Sequence, residues 1–180
     1  LSVDDERMTV APGDKVVIAT PPTSAQRLLP GLVAPEGTTA IVNAHMRFDA
    51  AVDWPWEAPL AGLIGGTAQW MFHRDDVVSV TVSAADALAE KSVDDIAALL
   101  WRDVAQALKR DEASPPAIRV IKEKRATFLQ SPEQVSRRPG TRTRWPGVLL
   151  AGDWTDTGLP ATIEGAIVSG NRAAIAAMTA

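Results

Sequence analysis

The stretch from Val148 to Met178, VLLAGDWTDTGLPATIEGAIVSGNRAAIAAM, constrains the fold more than any other part of the chain. VLLAG reads as a short buried strand that ends on Gly152 and Asp153. A turn-rich segment follows. The run from Ala161 to Met178 then reads as a helix, with Ile163, Ala166, Ile167, Gly170, Ala174 and Ala177 on one face. A helix N-terminus carries unpaired N–H groups and about half a positive charge, so it attracts anions and electron-rich oxygens. The small residues Ala161, Gly165, Ala166, Ser169 and Gly170 let another backbone or a flat ligand approach closely. A carboxylate at the end of a buried strand is costly unless it accepts hydrogen bonds, and a ligand hydroxyl would supply one to Asp153. The residues alone leave a second reading open, in which the unit is simply tightly packed and Asp153 caps local backbone.

Upstream, the order of elements is mixed. MTVAPGDKVVIATPP reads as a strand, a Pro-Gly turn and a second strand over Lys15 to Thr20. The run Val16, Val17, Ile18 suits a strand buried on both faces. TSAQRLL reads as a short helix capped by Thr23 or Ser24. TTAIVNAHMRFD alternates, with Val42, Ala44, Met46 and Phe48 pointing one way and Asn43, His45 and Arg47 the other. Residues 50–61 read as a loop, and TAQWMFHR and DVVSVTVS as a hairpin around Arg74, Asp75 and Asp76. From Ser92 a helical stripe begins: Val93, Ile96, Ala97, Leu100, Val104 and Leu108. Ser92 is its N-cap, Asp94 and Asp95 sit in its first turn, and Lys109 and Arg110 in its last. AIRVIKEKRATFLQ reads as a long strand and SPEQVSRR as a short helix. The expected fold class is α+β or α/β, with two layers interleaved in sequence.

Composition bounds the function classes. Hydrophobic residues make up 46% of the 180 and charged residues 22%, as in an ordinary globular protein. A net charge of -4 argues against nucleic acid as a general partner. With no cysteine, disulfide and thiolate chemistry are excluded. His45 and His73 are the only histidines and have no neighbours at metal-ligand spacing, so no metal site is expected. No apolar run is long enough to cross a bilayer, and LSVDDERM shows no signal-peptide pattern.

Three blocks resemble a known family. LLAGDWTDTGLPATIEGAIVSGNRAA looks like the C-terminal flavin motif of the FAD-dependent amine oxidase and phytoene desaturase superfamily. GLIGGTAQWMFHR, EKRATFLQSPEQVSRRPG and GDWTDTGLPATIEGA together resemble the hydroxysqualene dehydroxylases, also called squalene-associated FAD-dependent desaturases. The resemblance runs along essentially the whole chain. It implies FAD as the cofactor and the C-terminal portion of a Rossmann-like FAD-binding domain interleaved with a mixed-sheet substrate domain. Residues 1–36 would be the end of the FAD-binding strands and a linker helix, 37–130 the substrate domain, and 131–180 the last FAD-binding strand and helix. Asp153, after Gly152, would contact the ribityl and pyrophosphate part of FAD. Pro160, Ala161, Thr162 and Ile163 would pass beside the isoalloxazine ring, and Trp154 would touch the flavin or pack beneath it. Backbone N–H groups at the helix start would face flavin N1, where reduction places negative charge.

The implied reaction is reductive dehydroxylation of hydroxysqualene to squalene in hopanoid synthesis: loss of an allylic hydroxyl with hydride delivery from reduced flavin N5. No residue is assigned as the acid that assists the hydroxyl's departure. A desaturase or amine oxidase working in the oxidising direction is the alternative within the class. Trp70 would line an apolar pocket for the isoprenoid. The family begins with a strand, a G-x-G-x-x-G turn and a helix, and this sequence contains no such motif; GLIGG at Gly62 to Gly66 has the wrong spacing. The expectation is therefore the C-terminal portion of a longer enzyme. A non-catalytic module that binds a lipid or partner, and self-associates through bared apolar surface, is the competing reading. RRPGTRTRW defaults to a solvated basic loop, with attraction to an anionic membrane as the other option. The expected location is cytoplasmic, with peripheral contact at the inner membrane left open.

Overall fold

A computed structural model describes residues 2–3, 6–7 and 9–179. In chain order the elements are β1 (Ser2–Val3), β2 (Glu6–Arg7), β3 (Val16–Ile18), α1 (Pro22–Leu28), β4 (Thr38–Arg47), β5 (Leu60–Gly62), β6 (Trp70–Arg74), β7 (Val77–Val82), α2 (Asp86–Ala89), α3 (Val93–Ala107), β8 (Ala117–Phe128), α4 (Pro132–Ser136), β9 (Val148–Leu150) and α5 (Ile163–Met178). They form two compact units. One comprises residues 1–37 and 127–180, the other Thr38–Ala126. The mixture of helices with parallel and antiparallel sheets is the α+β class expected from the sequence.

The continuous unit is built on a five-stranded sheet in the order β5-β6-β7-β4-β8. The predicted hairpin is there: β6 and β7 pair antiparallel, with Arg74 opposite Val77 and Asp75 in the left-handed region at φ 53°. The β4 alternation also holds. Val42, Ala44 and Met46 are fully buried and join Met71, Val78, Val80 and Val82 in one core. Against this face packs α3, through Ile96, Leu100, Trp101 and Val104. Ser92 caps α3 by accepting from Asp95 N–H at 3.0 Å, as its position predicted.

Some expectations for this unit are corrected. Lys109 and Arg110 lie beyond the helix rather than in its last turn. Lys109 adopts φ 53°, and Arg110 N–H closes onto Ala105 O at 2.8 Å, which satisfies a carbonyl left over at the helix end. Val93 is half exposed, and Trp101 takes the buried place next to Leu100. The loop assigned to residues 50–61 gives way to β5 at Leu60, and α2 was not anticipated.

In the discontinuous unit, β3 and β9 pair in parallel, with Val16, Val17 and Ile18 opposite Val148, Leu149 and Leu150. Ile18, Leu150, Phe128, Trp154, Ala25, Leu29, Ala34 and Ala161 make its core. Val17 is 45% exposed, so β3 is not the doubly buried strand its composition suggested. The expected strand before it is absent over Thr9–Ala11, which lead instead into a turn where Asp14 accepts from Ala11 N–H at 2.8 Å. Met8 of that expectation lies outside the described residues. Helix α1 starts at Pro22, after Pro21, and neither Thr23 nor Ser24 caps it. Proline at the first helical position needs no N–H partner, so the helix opens earlier than a hydroxyl cap would place it. Among the described residues, no helix is long and apolar enough to cross a membrane.

Candidate functional site

The junction between β9 and α5 is held by contacts that recur to the backbone of residues 152–160. Gly152 sits at φ 146°. Its N–H donates to Ser169 Oγ at 2.7 Å, and Ser169 in turn donates to Ala166 O at 2.7 Å. Ser169 is fully buried, so strand end and helix are stitched together in the interior. Trp154 is buried and donates its indole N–H to Thr20 O at 2.9 Å, tying the turn after β9 to the end of β3. Thr155 bonds back to Gly152 O through its hydroxyl at 2.8 Å. Trp154 is thus a core residue of the turn.

Asp153 lies between these anchors and is half-buried. Burial pushes its carboxyl above the ordinary aspartate range. Backbone N–H groups and the Arg138 guanidinium pull the other way and do not cancel it. Among the described residues no side chain donates a hydrogen bond to this carboxylate. A partly desolvated acid without a side-chain donor can take a ligand hydroxyl.

Nine residues beyond Asp153, at Thr162, the chain reaches the helix. Thr162 is the N-cap and accepts from Gly165 N–H at 3.1 Å. Ala161 is buried and its N–H donates to Gln130 Oε1 at 3.0 Å. Pro160, Thr162, Ile163 and Glu164 are exposed, and Ile163 is 84% so. The first turn of α5 therefore carries exposed residues at Ile163 and Glu164 and a buried Gly165, with Thr162 satisfying one N–H donor. Glu164 lies in that turn, where its charge complements the helix dipole.

The buried face of α5 differs from the one predicted. Gly165, Ser169, Ala173 and Ala176 face inward, whereas Ile163, Ile167, Gly170 and Ala174 are exposed. The close approach to the strand end selects the smallest residues. At Gly165 an added Cβ would lie 2.8 Å from Pro160 O. Bulk apolar residues are left outside.

Arg138 was missed. The RRPG segment was expected to be a solvated basic loop, yet Arg138 is half-buried. Its guanidinium donates to Leu159 O at 2.7 Å, Asp153 O at 3.0 Å and Thr155 O, and lies 5.6 Å from the centre of the Phe128 ring. Its Nε is buried without a hydrogen-bond partner among the described residues. One planar cation thus gathers three carbonyls of the 153–159 loop, while Arg172 takes those of Asp156 and Thr157 at 2.8 and 3.2 Å. Arg137 bonds Ala34 O and pairs with Glu36, and Arg144 bonds Pro30 O and stacks on Trp145. The patch is largely structural. Only its cationic pattern is visible in sequence; the carbonyls it serves are not.

Elsewhere, Trp70 is 46% exposed on β6. Trp54 stacks on His73 with ring centres 4.9 Å apart and donates to Ala58 O, as an internal loop contact does. No group of three or more metal-ligating side chains converges among the described residues.

The family model of the flavin containing amine oxidoreductases matches residues 1–178. The chain is 44% identical to a hydroxysqualene dehydroxylase of Sinorhizobium fredii, over 99% of its length and 42% of that protein's. It is also 44% identical to a hydroxysqualene dehydroxylase of Rhodopseudomonas palustris, over 94% of its length and 40% of that protein's. The chain therefore spans about two fifths of the length of these curated relatives. Among solved structures, a putative protoporphyrinogen oxidase from Exiguobacterium matches with a TM-score of 0.64 at 16% identity, over 92% of this chain and 41% of its own. A putrescine oxidase bound to putrescine matches equally well in shape, with 43% of its own length covered. These two likenesses concern the fold.

Proposed function

This chain belongs to the flavin containing amine oxidoreductases, and from that premise we propose that it is the C-terminal part of an FAD-dependent oxidoreductase that converts hydroxysqualene to squalene. The observation that carries the reading is the identity of 44% to named hydroxysqualene dehydroxylases along 99% of the chain. The discontinuous unit is the cofactor-binding piece, and Thr38–Ala126 the substrate piece.

The residues at the β9–α5 junction fit a flavin nucleotide. Asp153 is partly desolvated and, among the described residues, has no side-chain donor, as suits an acceptor for a cofactor hydroxyl. The exposed first turn of α5 offers N–H donors and the positive end of a helix of sixteen residues. The bound flavin supplies the hydride chemistry for replacing an allylic hydroxyl by hydrogen. The chain's own part is to hold and polarise: Asp153 and Gly152 at the nucleotide, Pro160 to Ile163 with Trp154 behind them at the ring, and Arg138 fixing the loop between. The proposed location is the cytoplasm, with peripheral contact at the inner membrane where such a substrate partitions.

The test is turnover by the full-length protein loaded with FAD and given a reductant. Squalene formed from hydroxysqualene supports the reading. Turnover of a carotenoid precursor or of simple amines, with none of hydroxysqualene, replaces it with the desaturase or oxidase alternative. An FAD titration of the isolated chain and its Asp153→Ala variant shows separately whether this piece holds the cofactor unaided.

A further inference from the structure

In the Thr38–Ala126 unit, the loop after β4 and the loop after α3 enclose a cavity of about 350 Å³. Two arginines line it: Arg47 from the end of β4, and Arg110 from the turn that closes α3. Ser114 and Asp49 line it as well. None of these residues belongs to the β9–α5 junction.

Backbone geometry, not an ion pair, brings Arg110 there. Lys109 adopts φ 53°, Arg110 N–H closes onto Ala105 O, and the guanidinium then lies 4.7 Å from the centre of the Phe48 ring. Phe48 is buried, with its ring centre 6.1 Å from that of Trp101. A stacked guanidinium spends its flat face on the ring and keeps the N–H groups of its edge for other partners. Among the described residues, the Arg110 side chain has neither an acid nor a hydrogen-bond acceptor. Arg47 gives Nε to Asp76 at 3.1 Å and keeps its two terminal nitrogens unused. The N–H groups of Asp49, Ala50 and Ala51 and the Ser114 hydroxyl also have no hydrogen-bond partner among the described residues. The nearby acids do not meet this demand. Asp111 accepts from Ala113 N–H at 3.0 Å, and Asp49 pairs with neither arginine.

Donors thus outnumber acceptors around one cavity. A carboxylate has two oxygens and cannot serve two guanidinium forks and a hydroxyl together. A phosphate group accepts on several sides at once and can. We propose that this cavity binds a phosphate group, gripped by the guanidinium edges of Arg47 and Arg110, with the Ser114 hydroxyl on a further oxygen. The phosphate of a soluble molecule and that of a lipid headgroup present the same oxygens, and the experiment separates the two sources. The site is independent of the reaction proposed above, and turnover of hydroxysqualene bears on neither source.

The test uses the full-length protein loaded with FAD, so that the site for the cofactor's own diphosphate is filled. Calorimetry follows the binding of inorganic pyrophosphate and, as a control, acetate. Sedimentation follows binding to phosphatidylcholine vesicles with and without phosphatidylglycerol. Saturable uptake of pyrophosphate, tighter than acetate, assigns the site to a soluble phosphate. Binding only to vesicles that carry phosphatidylglycerol assigns it to a lipid headgroup. In either case Arg47→Gln and Arg110→Gln each weaken binding about tenfold, the scale of one hydrogen bond to a charged group. Asp49→Asn strengthens it by removing a like charge. The Arg47 side chain is 76% exposed, so its variant folds whatever Arg110→Gln does to the stack on Phe48. Arg119→Gln, at an exposed position of β8 in the same unit, changes nothing. Absence of saturable binding in both assays overturns the proposal, and so does binding that Arg47→Gln and Arg110→Gln leave intact. Equal weakening by Arg119→Gln also overturns it, because the attraction is then diffuse. Acetate bound as tightly as pyrophosphate does the same, because the cavity then selects charge and not phosphate.

Discussion

Gly152 and Trp154 pack so closely that a Cβ on the glycine would lie 2.5 Å from the indole Nε1. No real Cβ tolerates that distance, and the backbone at φ 146° is one that other residues rarely adopt. Gly152→Ala must therefore shift the ring that holds the turn to Thr20. We expect a loss of about 2–3 kcal/mol, from strain and overpacking combined, measured by urea unfolding. In a Trp154→Phe background the ring is smaller, so the same substitution should cost less. Equal costs in the two backgrounds would mean that the strain lies in the backbone alone.

Asp153 predicts a stability gain with a defined pH dependence. Its folded carboxyl titrates above the ordinary aspartate value because burial disfavours the anion. The folded state then holds the proton more tightly than the unfolded chain, so the group favours folding below its unfolded pKa and this is lost as pH rises through the folded one. Asp153→Asn should raise the melting temperature at pH 7, and the gain should disappear near pH 4. The same change should weaken flavin retention by the full-length protein. Thermal melts from pH 4 to pH 8 decide the first part, and a gain that does not vary with pH counts against it.

Arg138 separates charge from shape. Lysine keeps the charge but cannot reach the carbonyls of Leu159, Asp153 and Thr155 together. Arg138→Lys should cost about 2 kcal/mol, in the range of hydrogen bonds to charged groups, and loosen residues 153–159. Faster amide exchange at Trp154 and Thr155 than in the native protein would show the loosening. Unchanged exchange would mean that the loop is held without it.

Asp103 does comparable service in the other unit. One of its oxygens accepts from Thr67 N–H and from Ala68 N–H at 2.9 Å, and the side chain is only 10% exposed. Asp103→Ala leaves two backbone donors unpaired, and should cost about 1–3 kcal/mol. It should also free the Gly62 to Gly66 turn, where Ile64 is fully exposed. Limited proteolysis at that turn should accelerate, and an unaltered digestion pattern would refute the anchoring role.

What the sequence disclosed depended on the kind of signal. Strict alternation on β4 and the Ser92 cap were legible because each follows from local periodicity or a single side chain. The inward face of α5 was not. Side-chain volume pointed to Ile163 and Ile167, whereas the packing rewards the absence of volume at Gly165, Ser169 and Ala173. Arg138 stayed hidden because its partners are backbone carbonyls near residue 155, which no sequence pattern marks. β5 was missed because it is a three-residue edge strand, defined by its partner β6 more than by its own residues. At the junction, the acid and the small residues were readable, but which of them turn inward was settled only by packing.

The pairing of β3 with β9 has a consequence for how the chain folds. It joins residues roughly 130 positions apart, and closing so long a loop directly is entropically unfavourable. The intervening unit removes much of that distance. β4 and β8 are neighbours in one sheet, and Leu129 N–H donates to Gly37 O at 3.2 Å, so the chain leaves that unit beside the point where it entered. Once Thr38–Ala126 has folded, the effective loop shrinks to about 40 residues, and closure becomes easier by about 1 kcal/mol. The Thr38–Ala126 unit should therefore fold first and act as the clasp that brings β3 and β9 within reach of each other.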